Sequence, residues 1–248
     1  MHDVLRIALT GMTTDGERMA SIGRNVANIN TPGYLRKVLD VGGARAGAFE
    51  AQLQGAEALP TNASRTLGDI SPGALQLTGR NLDFALSAGA LFVVQTPDGP
   101  AYTRDGRFHR DAQNRLVSLQ GYPVLSTAGE ILLDPQHDPE LDSQGRLRLS
   151  PESGAGAVEL QAVQLTADAP LLTRADGLLN LAGGSEAASP VNASTQGLRQ
   201  GQLAQSNVNL LNETLSSMQT VRHFESMQRV AQIADDMLGM GVKKLGEF

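Results

Sequence analysis

The chain has no cysteine and no tryptophan among its 248 residues. Without cysteine there is no disulfide framework, no thiolate metal site and no thiol nucleophile. The same absence is compatible with export of an unfolded chain, because no bridge can form early and jam the path. Aromatic residues make up only 4% of the chain, so its cores are expected to rest on Leu, Val, Ala and Met. Positive charge is also short, with 20 Lys and Arg against 26 Asp and Glu and a formal net charge of -6. The basic residues are scattered, Lys243 and Lys244 forming the one notable tail pair, which argues against nucleic acid as a partner. No run of about eighteen apolar residues is present, so no membrane insertion is expected. Nor does the beginning read as a secretory signal: Arg6 interrupts the apolar stretch at residues 4–9, and Asp3 sits where positive charge belongs.

The sequence is equally poor in chemistry. It contains no GxGxxG or GxxxxGK[ST] phosphate loop and no GxSxG elbow. His2, His109, His137 and His223 are far apart and lack metal-site spacing. His137 lies in an acidic stretch, residues 134–140, without the spacing or the glycine of a calcium loop. Asp235 and Asp236 read as a solvated helix face. The three N-x-[ST] matches, at Asn62, Asn192 and Asn212, read as coincidence in a chain so rich in these residues. No catalytic, cofactor-binding or metal-binding residue is therefore assigned.

What the chain does have is helical periodicity at its two ends. Leu5, Met12, Met19 and Val26 recur every seven residues, with Ala8, Ile22 and Ile29 on the companion seam, the a/d pattern of a helix that buries one narrow stripe. Such a helix, about thirty residues and roughly 45 Å long, offers more stripe than a small domain needs. A counterpart appears only near the other end, at residues 208–238. There Val208, Leu211, Leu215 and Met218 are spaced by three and four, and Met227, Val230, Ala234 and Met237 repeat the rhythm after a slip through Val221 and Phe224. The two ends look made for each other, or for copies of each other. Gly11, Gly16 and Gly23 each weaken the first helix by roughly 1 kcal/mol relative to Ala, and Asp15 falls on its seam. The first helix is therefore expected to be poorly formed in the isolated monomer and completed by packing in a polymer.

The first helix ends in residues 22–34, IGRNVANINTPGY, where Pro32 biases Thr31 away from helix and Gly33 tolerates positive φ. Residues 35–79 follow, rich in Ala, Gly, Ser and Thr; they read either as a linker with a little strand or as a segment that orders only against neighbouring subunits. Between residues 80 and 181 the pattern becomes short strands, at 82–86, 91–95, 106–110, 115–119, 130–133, 146–149 and 158–165. Turns at Asp98-Gly99, Asp105-Gly106, Ala128-Gly129, Gln144-Gly145 and Asp176-Gly177 separate them. A compact sandwich or barrel is expected. Residues 182–205 form a return linker, and Ser206 or Asn207 is expected to cap the last helix.

Three segments carry a resemblance. Ala27, Asn28, Thr31, Gly33 and Tyr34 fit the ANxxTxGY signature of the bacterial flagellar rod and hook protein family. Ser206, Asn207 and Val208 are similar to its SNV motif. Between them LDFAL (82–86), LFVVQ (91–95) and YTRDG (102–106) followed by Phe108 resemble its LDVAI…GFFxV…YTRxGxF segment. The likeness runs nearly end to end, in the family's order. Within the family, the stretch at residues 73–83 and the short segment before the strands resemble the F-type proximal rod subunits more than the G-type distal ones. The hook protein is normally larger.

The resemblance implies a structural, non-enzymatic subunit of the flagellar rod in the periplasm. It would be exported without a cleaved signal by the flagellar export apparatus and would polymerise with other rod proteins and with copies of itself to transmit torque. Contacts with the surrounding ring proteins are a further implication. The expected fold is α+β: N- and C-terminal helices pair as one discontinuous coiled-coil-like layer around an inserted all-β domain of short antiparallel strands. The expected divisions are residues 1–34, 35–79, 80–181, 182–205 and 206–248. The packing stripe is Leu5, Met12, Met19, Ile22 and Val26 on the first helix and Leu211, Leu215, Met218, Met227, Val230 and Met237 on the last. Two rivals from other classes stand beside this reading: a secreted β-domain binding module on a coiled-coil stalk, and a hydrolase acting on cell-wall glycan.

Overall fold

The computed structural model describes residues 2–40, 65–86, 89–149, 157–165, 171–174, 176–181, 188–194 and 197–246. The Gly- and Ala-rich run at residues 41–47 lies outside them. The chain divides into two compact units. One gathers Met1–Ala27, Lys37–Leu67 and Asn209–Phe248, and the other Asn28–Arg36 with Gly68–Val208.

The first unit is built on helices α1 (His2–Ala27) and α2 (Leu210–Gly246). At 26 and 37 residues they are roughly 39 and 55 Å long. They lie side by side and antiparallel, and strand β1 (Lys37–Asp40) packs on α1 and pairs with β2 (Arg65–Gly68). The phase slip expected around Val221 and Phe224 leaves no break, since α2 is continuous. Its cap corrects the sequence expectation. Neither Ser206 nor Asn207 caps the helix. Instead the Asn209 Oδ1 accepts from the Leu211 and Asn212 N–H groups at 3.0 and 3.2 Å, and the Asn209 carbonyl accepts the first helical bond from Glu213. An asparagine at this position satisfies donors that the helix itself leaves open.

The second unit is β-rich, with sixteen strands, β3 to β18, among the described residues. In order they are Leu75–Leu77, Phe84–Ala85, Ala90–Thr96, Gly99–Thr103, His109–Arg110, Leu116–Val117, Leu125–Ser126, Gly129–Glu130, Glu140–Leu141, Leu147–Arg148, Gln161–Leu165, Leu171–Thr173, Leu179–Leu181, Ala188–Asn192, Arg199–Gln200 and Gln202–Ala204. Every strand pairing whose register is resolved is antiparallel. Six strands form one sheet in the order β14-β15-β6-β5-β13-β16, and the others form two-stranded ribbons. The expected sandwich or barrel is thus a single sheet covered on both faces. Along β5, Ala90, Phe92 and Val94 enter one apolar cluster with Phe84, Phe108 and Leu116, while Leu91 and Val93 enter a second with Leu35, Val163 and Leu179. Period-two alternation in a strand apolar on both sides produces this arrangement. Phe108 meets Phe92 edge-on, with ring centroids 5.1 Å apart. Pro190 sits in β16 at the sheet's edge, where its missing N–H costs no ladder bond.

Candidate assembly site

The residues singled out by motif converge inside the β-rich unit. Thr31 donates to the Asn28 carbonyl at 3.1 Å and Tyr34 to the Thr31 carbonyl at 3.2 Å, so ANxxTxGY is two linked turns. The Thr31 hydroxyl adds a bond to the Asn28 Oδ1 at 3.1 Å. Gly33 has φ +74°, and a Cβ there would meet the Asp105 backbone, with Asp105 Cα at 2.5 Å. Its N–H donates to the Ala204 carbonyl at 2.8 Å. Glycine is required twice over, by conformation and by the close approach of another backbone.

Asn207 of the SNV motif is the second staple. Its Oδ1 accepts from Arg36 N–H at 2.7 Å, and its Nδ2 donates to the carbonyls of Asp69 and Ser71 at 2.8 and 3.1 Å and to the Ser71 hydroxyl at 3.1 Å. The Asp69 N–H closes the ring by donating to the Arg36 carbonyl at 2.8 Å. Ser206 turns inward instead, its hydroxyl accepting from Val208 N–H at 3.3 Å while the Val208 side chain is buried.

The middle motif supplies the third part. Arg104 is buried and donates to the Ser71 carbonyl at 3.0 Å. Burial pushes its guanidinium below the ordinary value, and the charge of Asp69 opposes that shift. Gly106 lets the Phe84 carbonyl come so close that a Cβ would overlap it, and Phe84 N–H donates to the Gly106 carbonyl at 3.0 Å. Asp105 holds Arg107 in a bidentate pair, the shorter bond 2.6 Å long. All three motifs therefore meet in one bracket, at the points where the chain leaves for α1 and α2. The sequence marked Arg104 only as part of the YTRDG segment and did not single out Asp69, since the contacts that give them a role, to Ser71 and Arg36, are made across 33 residues each.

The helical unit holds the packing residues. Leu5, Met12, Met19 and Met227 are half-buried, Ile22 is buried, and Val26 is at the edge of exposure. By contrast Leu211, Leu215, Met218, Val230 and Met237 are exposed, Leu211 by 75%. The face of α2 turned to α1 is another one: Glu213, Thr220 and Ala234 are its buried positions. At 100° per residue Leu211, Leu215 and Met218 lie nearly opposite Glu213 and Thr220, while Val230 and Met237 flank Ala234 at about 40° and 60°. Across the seam, His223 Nδ1 lies 2.6 Å from Asp15 Oδ2, and Asn25 Nδ2 donates to Glu213 Oε2 at 3.2 Å. Asn25 also grips β1 by both backbone groups of Lys37, at 2.8 and 2.9 Å. Lys37 itself is pushed below its ordinary pKa, by burial and then by Arg24. Among the described residues, no group of three or more His, Asp or Glu side chains is placed to hold a metal ion, and no helix is long and apolar enough to cross a membrane.

Residues 85–152 match the model of the flagellar hook protein FlgE/F/G D1 domain, and residues 199–243 that of the flagellar basal body rod FlgEFG protein C-terminal region. The chain is 30% identical to the flagellar basal-body rod protein FlgF of Mesorhizobium japonicum, over 99% of both chains. It belongs to the flagellar basal-body rod protein family. FlgF of Escherichia coli is also 30% identical, over 96% of each chain, and FlgG of Bacillus subtilis is 29% identical over 93% of this chain and 94% of its own. The rod family's C-terminal match begins at Arg199, so it spans the SNV staple and most of α2, while the D1 match covers strands β5 to β12 and the Arg104 side of the bracket. As a member, the chain is a structural subunit of the basal-body rod.

Proposed function

We propose that this rod subunit is of the proximal, F-type kind and polymerises through its terminal helices, with copies of itself and with other axial proteins, into a shaft that carries torque across the periplasm. The observation that carries the reading is the apolar stripe of α2. Leu211, Leu215, Met218, Val230, Ile233 and Met237 are all exposed on their own chain, and a stripe that long on a soluble monomer marks a surface meant for other protein. In this reading the helices pair as one coiled-coil-like layer, neighbours close over its outer face in a heterologous lattice, and the β-rich unit adds lateral contacts. The bracket of Gly33, Arg104 and Asn207 gives the ANxxTxGY and SNV motifs a positioning role, aiming the chain ends into the lattice. The work is mechanical and involves no bond-breaking step.

Export by the flagellar apparatus without a cleaved signal belongs to the same proposal, as does contact with the surrounding rings. The G-type distal position is the runner-up. Deleting the encoding gene and imaging basal bodies by electron microscopy tests the assignment: loss of everything beyond a stump of rod supports the proximal position, and a nearly complete rod overturns it. A stalked binding module would instead form a defined dimer or trimer with rising concentration in sedimentation, where a rod subunit stays monomeric.

A further inference from the structure

Several of the positions buried most completely on α1 and α2 are polar. Asp15, Ser21, Asn25, Glu213 and Thr220 are all 3% exposed or less, while among the described residues the buried apolar side chains of the two helices are Ala8, Ile22 and Ala234. Apolar contacts are non-directional, so a seam of Ala, Met and Ile would tolerate sliding, whereas buried polar groups must meet particular partners. We infer that the pairs Asp15–His223 and Asn25–Glu213 are a register key that sets the axial alignment of α1 against α2.

The geometry is consistent along the whole seam. From Asp15 to Asn25 α1 advances ten residues, and from His223 to Glu213 its partner retreats ten. Four residues before Asp15, Gly11 faces Met227, four residues beyond His223; a Cβ on Gly11 would lie 3.2 Å from the Met227 Cγ. Ser217 Oγ lies 3.5 Å from Met19 Sδ between the two polar pairs. A slip of one heptad, about 10.5 Å, sets Asp15 against Ser216 or Val230 and strips it of its histidine. It also sets Glu213 against Arg18 or beyond the end of α1. An ionised carboxylate only accepts, so His223 Nδ1 must carry the proton it donates, and Val230 has none to offer. Arg18 lies 3.8 Å from Asp15 on the same helix and keeps that spacing in any register, so it adds charge but no alignment. Buried polar residues that fix register at the expense of stability are a known device of paired helices. The inference rests on the seam within one chain and holds whether or not the subunit is a rod component.

The absence of cysteine makes the register directly readable by disulfide trapping in the full chain. Met19→Cys with Ser217→Cys reports the observed alignment. Met19→Cys with Phe224→Cys, and Met19→Cys with Leu210→Cys, report one-heptad slips. In the parent background the first combination should cross-link at least roughly tenfold more than either slipped one, the loss expected when the buried Asp15 carboxyl gives up the half-exposed His223 ring and Glu213 gives up Asn25. In an Asp15→Leu, His223→Leu, Glu213→Leu background, which removes both pairs, the slipped combinations should rise to within about threefold of it. Swapping the pair, Asp15→His with His223→Asp, should restore the parent pattern. An unchanged pattern in the apolar background overturns the inference, as does failure of the first combination in the parent. If the apolar background cross-links nowhere, the swap decides: the parent pattern supports the key, and a slipped or absent pattern sinks it.

Discussion

The two units of this chain bury opposite kinds of residue. In the β-rich unit the largest fully buried side chains are Phe84, Phe92, Phe108, Leu91, Leu116 and their neighbours, as expected of a core driven by loss of apolar surface from water. In the helical unit the deepest positions include Glu213, Asn25 and Asp15, while Leu211, Leu215, Val230, Ile233 and Met237 face outward. The β-rich unit therefore buries its two apolar clusters within a single copy. The helical unit keeps on its outside an apolar surface worth on the order of 10 kcal/mol if covered, enough to meet much of the cost of association.

The contrast is tested first where the effect is largest. Phe92→Ala removes a ring with no exposed surface that meets Phe108 edge-on. It should destabilise the β-rich unit by about 3–5 kcal/mol, read as a fall in the denaturant midpoint of near-ultraviolet dichroism. If the helical signal at 222 nm collapses in step, the two units are not separable in the way their interiors suggest. Gly33→Ala comes next. Its φ of +74° and the Asp105 backbone against it make this one methyl cost about 2–4 kcal/mol, measured by the same denaturation. A value under about 0.5 kcal/mol would mean that the bracket yields easily.

Asn207→Ala should cost about 1–3 kcal/mol, because Arg36 N–H and the carbonyls of Asp69 and Ser71 lose one shared partner. Asn207→Asp keeps the acceptor for Arg36 but sets a carboxylate oxygen against the Asp69 and Ser71 carbonyls, so it should cost at least as much as the alanine. Against these stands Gly23→Ala in α1. Nothing lies within 4 Å of a Cβ placed there, so the change should stabilise by roughly 0.5–1 kcal/mol through helix propensity alone. The sign thus flips between Gly33 and Gly23, ten residues apart. A loss at Gly23 would show that α1 already needs that space in the free chain.

How much of this was legible in the sequence follows from the range of each signal. The hairpin at Asp98-Gly99 was readable because the turn and both strands are local; Thr96 pairs with Gly99 directly across it. Leu147 and Arg148 alternate inward and outward as their spacing suggests. The bracket was not readable: Asn207 reaches Arg36 across 171 residues and Asp69 across 138, and no periodicity encodes such a partner. Helical spacing picked out apolar positions on α2 but did not sort them: Met227 and Ala234 turn to α1 while Leu211, Leu215, Met218, Val230 and Met237 are exposed, and spacing is silent on what covers them. The polar face that meets α1 gives no such signal, since Glu213, Thr220 and His223 read individually as solvated positions. Asn25, repeated inside an Asn-rich turn, was hidden by its neighbours.

The smallest expected effect on the free chain is also the most informative. Leu215→Gln and Met237→Gln replace exposed apolar residues on α2 with one of nearly equal helix propensity. The monomer should change by no more than about 0.5 kcal/mol in denaturant unfolding, because both side chains are more than half exposed on their own chain. In a polymer each position would sit under a neighbour, and a buried amide without a partner costs about 1–3 kcal/mol per subunit. Repeated along a lattice, that penalty should abolish incorporation into basal bodies, scored by swimming and by immunoblot of purified rods. The comparison between the units breaks if the order is reversed, with stability lost in the free chain and incorporation retained. The stripe would then belong to the subunit's own interior, and the apolar face of the helical unit would need a partner other than its neighbours.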